Sequence, residues 1–261
     1  MVNLTTLDLL LSSLFILLLA FLSYRHRVKL EKKILFSSLR AALQLLFVGM
    51  VLQTVFNYNS IYLVATISML MVLLAGYEIQ ARQQRRFLGG WGYLNGTVAI
   101  FISSMATALF ALLFIIEYDP WHHPQYAIPL LGMLLGNTMN GISLGMDRLT
   151  SSVWQQRRVI EARLAMGESA DSAIRNLRDE AILTGMIPIL NSMAAAGIIS
   201  LPGMMTGQIL AGAAPLEAVK YQIMILFLIA GGTGLGVMAA VSLSAKRVFD
   251  SRDRLRLERI S

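Results

Sequence analysis

Residues 161–169 read Glu161-Ala162-Arg163-Leu164-Ala165-Met166-Gly167-Glu168-Ser169, a spacing suited to docking rather than to bond breaking. Gly167 can end one helix in the left-handed conformation, and Ser169 can cap the next with Asp171 in its first turn. Val153, Ile160 and Leu164 before this point, and Ile174, Leu177 and Ala181 after it, recur at helical spacing with charges between them. Segment 147–180 is therefore expected to form a helix–turn–helix elbow, with Lys+Arg 6 and Asp+Glu 6 on a polar surface. A solvated loop that is merely helical fits the same pattern.

A second group of residues has the character of a membrane pathway. Asn137 and Asn140 lie one turn apart among glycines and would be costly facing lipid, so they are expected to turn inward, as hydrogen-bonding glue or as substrate contacts. Asn191, three residues after Pro188, is a further interior polar candidate, and Gln44 pairs with Arg40 at i, i+4 spacing. Region 197–218 is apolar but interrupted by Pro202-Gly203, Gly207, Gly212 and Pro215. Such broken segments survive at membrane depth only against protein or a water-filled cavity, and they often line transport sites. Met204, Met205 and Gln208 fall inside it. The alternative is a loop with a short interfacial helix. Thioether sulfur suits soft ions such as Cu(I), although methionine is also ordinary apolar filler. His122 and His123, with Glu117 and Asp119 nearby, are weak candidates for a divalent ion.

Several chemistries are excluded. The chain has no cysteine, which removes disulfides, thiolate metal sites and cysteine nucleophiles. It has no G-x-x-x-x-G-K-[ST] and no H-E-x-x-H, so neither P-loop ATP hydrolysis nor that zinc chemistry belongs to it. Gly234-Leu-Gly236-Val-Met-Ala239 lies inside an apolar run and reads as helix packing, not as a nucleotide fingerprint. Ser192 and Ser200 have no histidine at membrane depth to activate them, so an embedded enzyme is not expected.

The elements that must position these residues follow from composition. The 261 residues are 56% hydrophobic and 14% charged, with a mean hydropathy of +0.63. A soluble domain is typically about 25% charged. Apolar runs near 4–22, 34–56, 61–79, 96–116, 127–146, 181–199 and 219–245 each approach the ~20 residues needed to cross a bilayer. The expected fold is all-α: one polytopic membrane domain over residues 1–261 with about seven spans. Lys and Arg fix its orientation. Segments 23–33, 81–90, 147–180 and 246–261 hold 20 of the 22, and the alternate connections 57–60, 117–126 and 200–218 hold none. The positive-inside rule then places the N-terminus outside and the C-terminus in the cytoplasm. The net charge of +7 reads as topology and attraction to anionic membrane lipid, not as nucleic-acid binding. The tail from Lys246 to Arg259 is expected to continue the last helix along the surface.

Glu161 to Gly167 resembles the E-A-A-x-x-x-G loop of ABC-transporter permeases, with Arg163 replacing the second alanine. The I-x-L-P that follows in importers is not at its usual distance. Ile128–Asn140, Ser200–Gly207, Lys220–Met224 and Arg40–Gln44 are similar to the FetB iron-export permease family. The resemblance spans about residues 35 to 245. It implies a permease of the cytoplasmic (inner) membrane that exports iron or another metal ion. It further implies pairing as a homodimer with a separate FetA-type ABC ATPase subunit that holds the ATP and Mg, so this chain would bind no cofactor. Glu161, Ala162, Gly167, Glu168 and Ser169 would then be the coupling residues. Plant relatives implicated in aluminium tolerance and linked to UDP-glucose keep a nucleotide sugar open as substrate. An ATP-independent channel or ion-coupled carrier is the remaining alternative.

Overall fold

The connections, more than the helices, distinguish this chain from a plain bundle of spans. In a computed structural model, residues 5–58 and 60–260 are described, and they form α-helices with short turns and three isolated bridges. Leu4, where the first span was expected to start, lies outside the described residues, as do Asn59 and Ser261. The chain divides into two compact units, Met1–Asn59 and Ser60–Ser261.

The first unit is a helical hairpin. Its α1 (Thr6–Arg25) opens with a capping box, in which the Thr5 hydroxyl accepts from the Asp8 N–H and the Asp8 carboxylate accepts from the Thr5 N–H. The turn into α2 (Glu31–Asn57) is held by the Leu30 N–H, which donates 3.0 Å to the Ser23 hydroxyl.

The second unit holds α3 (Ile61–Arg82), α4 (Trp91–Ala111), α5 (Pro124–Gln155), α6 (Arg157–Ala165), α7 (Ala170–Ala195), α8 (Gly203–Leu210) and α9 (Pro215–Arg247). Proline stands at the first turn of α5 and of α9, where its missing N–H costs nothing. Helix α4 ends in a π-turn, Leu112–Ile116, and α5 runs well past the expected end at residue 146. The core lies where α5 packs against α3, α7 and α9. In lipid there is little hydrophobic force between helices, so close backbone approach and van der Waals contact must hold them. A Cβ on Gly185 would stand 2.7 Å from the Gly141 carbonyl and 2.7 Å from Val237, and one on Gly145 would stand 3.2 Å from the Ala181 carbonyl. Gly236 is equally tight against Thr138 and Ser103, which makes it the packing residue expected. Gly136, by contrast, faces open space.

Six helices among the described residues are long and apolar enough to cross a membrane: α1, α2, α3, α4 with its π-turn, α5 and α9. The sixth expected span falls on α7, whose first three turns are charged and whose apolar part, Ala181–Ala195, is short. Apolar side chains such as Phe114, Leu183, Phe227 and Leu235 stand exposed on the second unit, as lipid-facing residues do. The chain is a multi-pass membrane protein.

The tail departs from expectation. Instead of continuing α9, the chain breaks after Arg247 and folds back, bridging Phe249 to Leu255 and Ile260 to Phe87. Asp250 causes the reversal. Its carboxylate accepts the N–H groups of Arg252 and Arg254 at 2.9 Å each and the guanidinium groups of Arg254 and Arg256. A side chain that satisfies two main-chain donors offers the backbone a better arrangement than another helical turn.

Candidate functional site

The elbow forms as its residues dictate. Helix α6 ends at Ala165, and Gly167 takes φ +91°, a conformation that costs glycine little and a residue with a Cβ much more. Ser169 then caps α7 by accepting from the Ser172 N–H at 3.3 Å. Ile160, Ile174, Leu177 and Ala181 are buried, which fixes both helices to the body of the unit. Glu161, Ala162, Gly167 and Ser169 are exposed.

Arg163, the departure from the ABC-loop pattern, is what ties the turn together. Its guanidinium holds Glu168 in two places, Nη2 to Oε2 at 2.7 Å and Nε to Oε1 at 3.1 Å. It also donates to the Ala173 carbonyl at 2.9 Å, and Ser172 donates to Glu168 at 3.2 Å. Arg163 beside it holds the Glu168 carboxyl below the usual range, so the turn is ionised and braced at neutral pH. Two further ion pairs, Arg178 with Asp171 and Arg148 with Glu180, run along the start of α7.

Other segments join this face. The Ala170 N–H, at the start of α7, donates 3.3 Å to the Asp253 carboxylate of the tail. A cleft of about 450 Å³ lies between them, with Glu161, Leu164 and Glu168 on one wall and Arg252, Arg254 and Leu255 on the other. The Arg254 and Arg252 N–H groups and the guanidinium groups around Asp250 press its carboxyl far below the usual range. The connection after α3 is bound in as well: the Gln84 N–H donates to Asp147 at 2.7 Å, Thr150 donates to the Arg85 carbonyl at 3.1 Å, and the Arg85 guanidinium lies 4.2 Å over the Trp154 ring. Elbow, tail and the 83–90 turn thus make one polar surface. Sequence reasoning found the first but missed the contributions of Asp250, Asp253 and Arg163. The tail's arginine-rich composition was visible, but the acid that organises it was not.

The residues expected to line a pathway are not gathered into one pocket. Asn137 and Asn140 are exposed on α5 rather than turned into the core of the unit. Asn137 donates to its own helix at Met133, and Asn140 accepts from Arg82 Nη1 at 2.6 Å. The core-facing positions of that turn are taken by Thr138 and Gly141 instead. Arg82 also pairs with Glu78 at 3.5 Å, at the i, i+4 spacing that one face of α3 brings together. Asn191 is exposed on α7, and Gln44 is exposed on α2 in the other unit. Helix α8 carries Met205 buried, Met204 half-buried, and Gln208 with its Oε1 buried and without a hydrogen-bond partner. Turns at Gly197 (φ +81°) and Gly212 (φ +99°) flank it.

Among the described residues, no group of three or more His, Asp or Glu stands together as metal ligands. His123 lies edge-on to Tyr118 and His122 edge-on to Trp121, with ring centroids 5.1 and 5.5 Å apart. The imidazoles therefore belong to an aromatic cluster at the start of α5.

The family described as "Uncharacterised protein family (UPF0014)" matches residues 6–249. A UPF0014 membrane protein of Synechocystis is 36% identical over 87% of this chain and 87% of its own length. The probable iron export permease protein FetB of Escherichia coli is 30% identical over 97% of this chain and 95% of its own. The Arabidopsis thaliana protein ALUMINUM SENSITIVE 3 is 34% identical over 83% of this chain and 77% of its own. No solved structure matches.

Proposed function

We propose, from the premise that this chain belongs to the UPF0014 family, that it is the permease subunit of an ABC transporter. It exports iron or another metal ion across the cytoplasmic (inner) membrane, works as a homodimer and draws on ATP bound with Mg by a separate FetA-type ATPase. The observation that carries this reading is the α6–α7 elbow. A coupling element must be exposed at its tip and immobile at its base. Glu161 to Ser169 meets both needs, with an open Gly167 turn above a base pinned by Arg163, Ile160 and Ile174. The name of the Escherichia coli relative supports iron as the cargo.

Basic residues support the orientation. If α7 crosses, the elbow and the tail lie together in the cytoplasm with every Lys/Arg-rich connection, and the Asp253–Ala170 bond requires the two to be neighbours. Helix α7 spans despite its short apolar part because α5 and α9 pack along it, and its exposed Pro188 and Asn191 face the cargo route rather than lipid. In this arrangement α8 and its flanking turns lie at the opposite end, and Asn137, Asn140, Asn191, Met204, Met205 and Gln208 face the route of the cargo.

One observation favours a different cargo. Arg82, held by Glu78 and Asn140 on an exposed helix face, suits an anionic group such as the phosphate of a nucleotide sugar. Inverted membrane vesicles containing this chain and its ATPase separate the readings. ATP-dependent uptake of labelled iron, absent without the chain, is expected. ATP-dependent uptake of a nucleotide sugar but not of iron would transfer the assignment to the second cargo. Uptake of either without ATP would point to a channel or carrier.

A further inference from the structure

At the end of the second unit remote from the elbow, a cavity of about 280 Å³ opens between the start of α3, the end of α4 and the start of α5. Its walls are almost wholly apolar, among them Val64, Met69, Phe101, Met105, Ala108 and Leu131. Ala108 and Leu131 form a buried floor, while Met69 and Phe101 are exposed, so the opening faces sideways from the helices. A dry cavity of about 150 Å³ is enough to take a benzene ring, and apolar cavities of this kind do not hold water. This one is nearly twice that size.

The medium beside a lateral opening in a membrane protein is hydrocarbon chain. A second observation separates a lipid from any other apolar filler. His122 joins the lining, and its Nδ1 is buried with no hydrogen-bond partner. A buried polar atom left unpaired is costly, and here it stands beside Trp121, the residue type that marks the headgroup level of a bilayer. We infer that this cavity binds one membrane phospholipid, with the end of an acyl chain against Ala108 and Met105 and the glycerol–phosphate region hydrogen-bonded to His122. Leu112, at the start of the π-turn Leu112–Ile116, closes the cavity beside His122. A bound lipid would wedge α3, α4 and α5 at the end where a transport path must open and close.

The test uses the full chain purified in mild detergent, stripped of lipid and titrated with dioleoyl phosphatidylglycerol. Native mass spectrometry should find one tightly retained lipid, and the thermal midpoint should rise with added lipid. Ala108→Phe, which fills the floor, should lose both responses. Ala106→Phe, exposed on the same helix, should keep them. His122→Phe should keep the fold and weaken retention several-fold. Equal retention by Ala108→Phe and the native chain would overturn the inference, as would a native chain that keeps no lipid. Should Ala108→Phe fail to fold, a phospholipid with a photoreactive chain terminus decides. Cross-links concentrated on Met105 and Leu109 support the site, and cross-links spread evenly over the exposed apolar faces overturn it.

Discussion

At the Glu168 turn, side chains reach across the junction between helices: Arg163 to Glu168 and Ala173, Ser172 to Glu168, and Asp253 of the tail to Ala170. At the 196–214 break the bonds are mostly main-chain bonds among the segment's own residues, such as Gly197 to Ser200, Ser200 to Ala195 and Ala213 to Gln208. Both regions join two helices, and both use left-handed glycines. The elbow is braced from three directions and should move as one body with α7. The break is held by local, exposed bonds, which open at little free-energy cost. In the proposed ABC permease this asymmetry would place a stiff lever where the ATPase docks and a yielding segment where the path changes.

The comparison can be broken most severely where both regions depend on the same helix. Gly185 lies in α7 between the elbow and the break, and its backbone meets Gly141 of α5. Gly185→Ala should destabilise by about 1–3 kcal/mol through overpacking, read by thermal unfolding in detergent. Gly185→Leu should yield no folded protein. The next effect sharpens the contrast. Gly167→Val forces a β-branched residue to φ +91° and should cost about 1–2 kcal/mol, with loss of the ATPase on purification. Gly207→Val, in α8 with open space around it, should be neutral within about 0.5 kcal/mol. Ser169→Ala removes the cap of α7 and should cost about 1 kcal/mol, seen as earlier fraying of residues 170–173 in hydrogen exchange.

The smallest effect is one of pH. Glu168 and Asp250 are both held below their usual range, so the ties they make are complete above the unfolded carboxylate values of about 3.9–4.3 and are lost as the pH falls through the folded ones. Amide protection at 161–173 and 248–256, measured relative to the intrinsic exchange rate at each pH, should therefore fall as the pH drops below about 4. Residues 196–214 contain no ionisable side chain and should show no matching change.

The sequence made some of this legible and left the rest hidden for physical reasons. The apolar runs identified most of the helices, since length and hydropathy are local properties. Gly167 and Ser169 announced the elbow because a left-handed stop and a cap act within a few residues of themselves. The tail was hidden because its geometry depends on one carboxylate, Asp250, gathering donors from Arg252 to Arg256, and composition alone favoured a continued helix. The outward placement of Asn140 was hidden for a different reason. Its partner Arg82 is 58 residues away, and pairing removes the cost that would have driven the asparagine inward. Likewise, the glycines of α5 look alike in the sequence, and only contacts with α7 and α9 distinguish the tight Gly141 and Gly145 from the open Gly136.

The claim that residues 161–169 couple this chain to an ATPase is tested most directly by purifying the tagged native complex in mild detergent and identifying what accompanies it by mass spectrometry. A P-loop ATPase in stoichiometric amount, retained by the native chain and by Gly207→Val but lost from Gly167→Val, is the predicted result. A chain that purifies without any ATPase, and whose transport is indifferent to ATP, would contradict it.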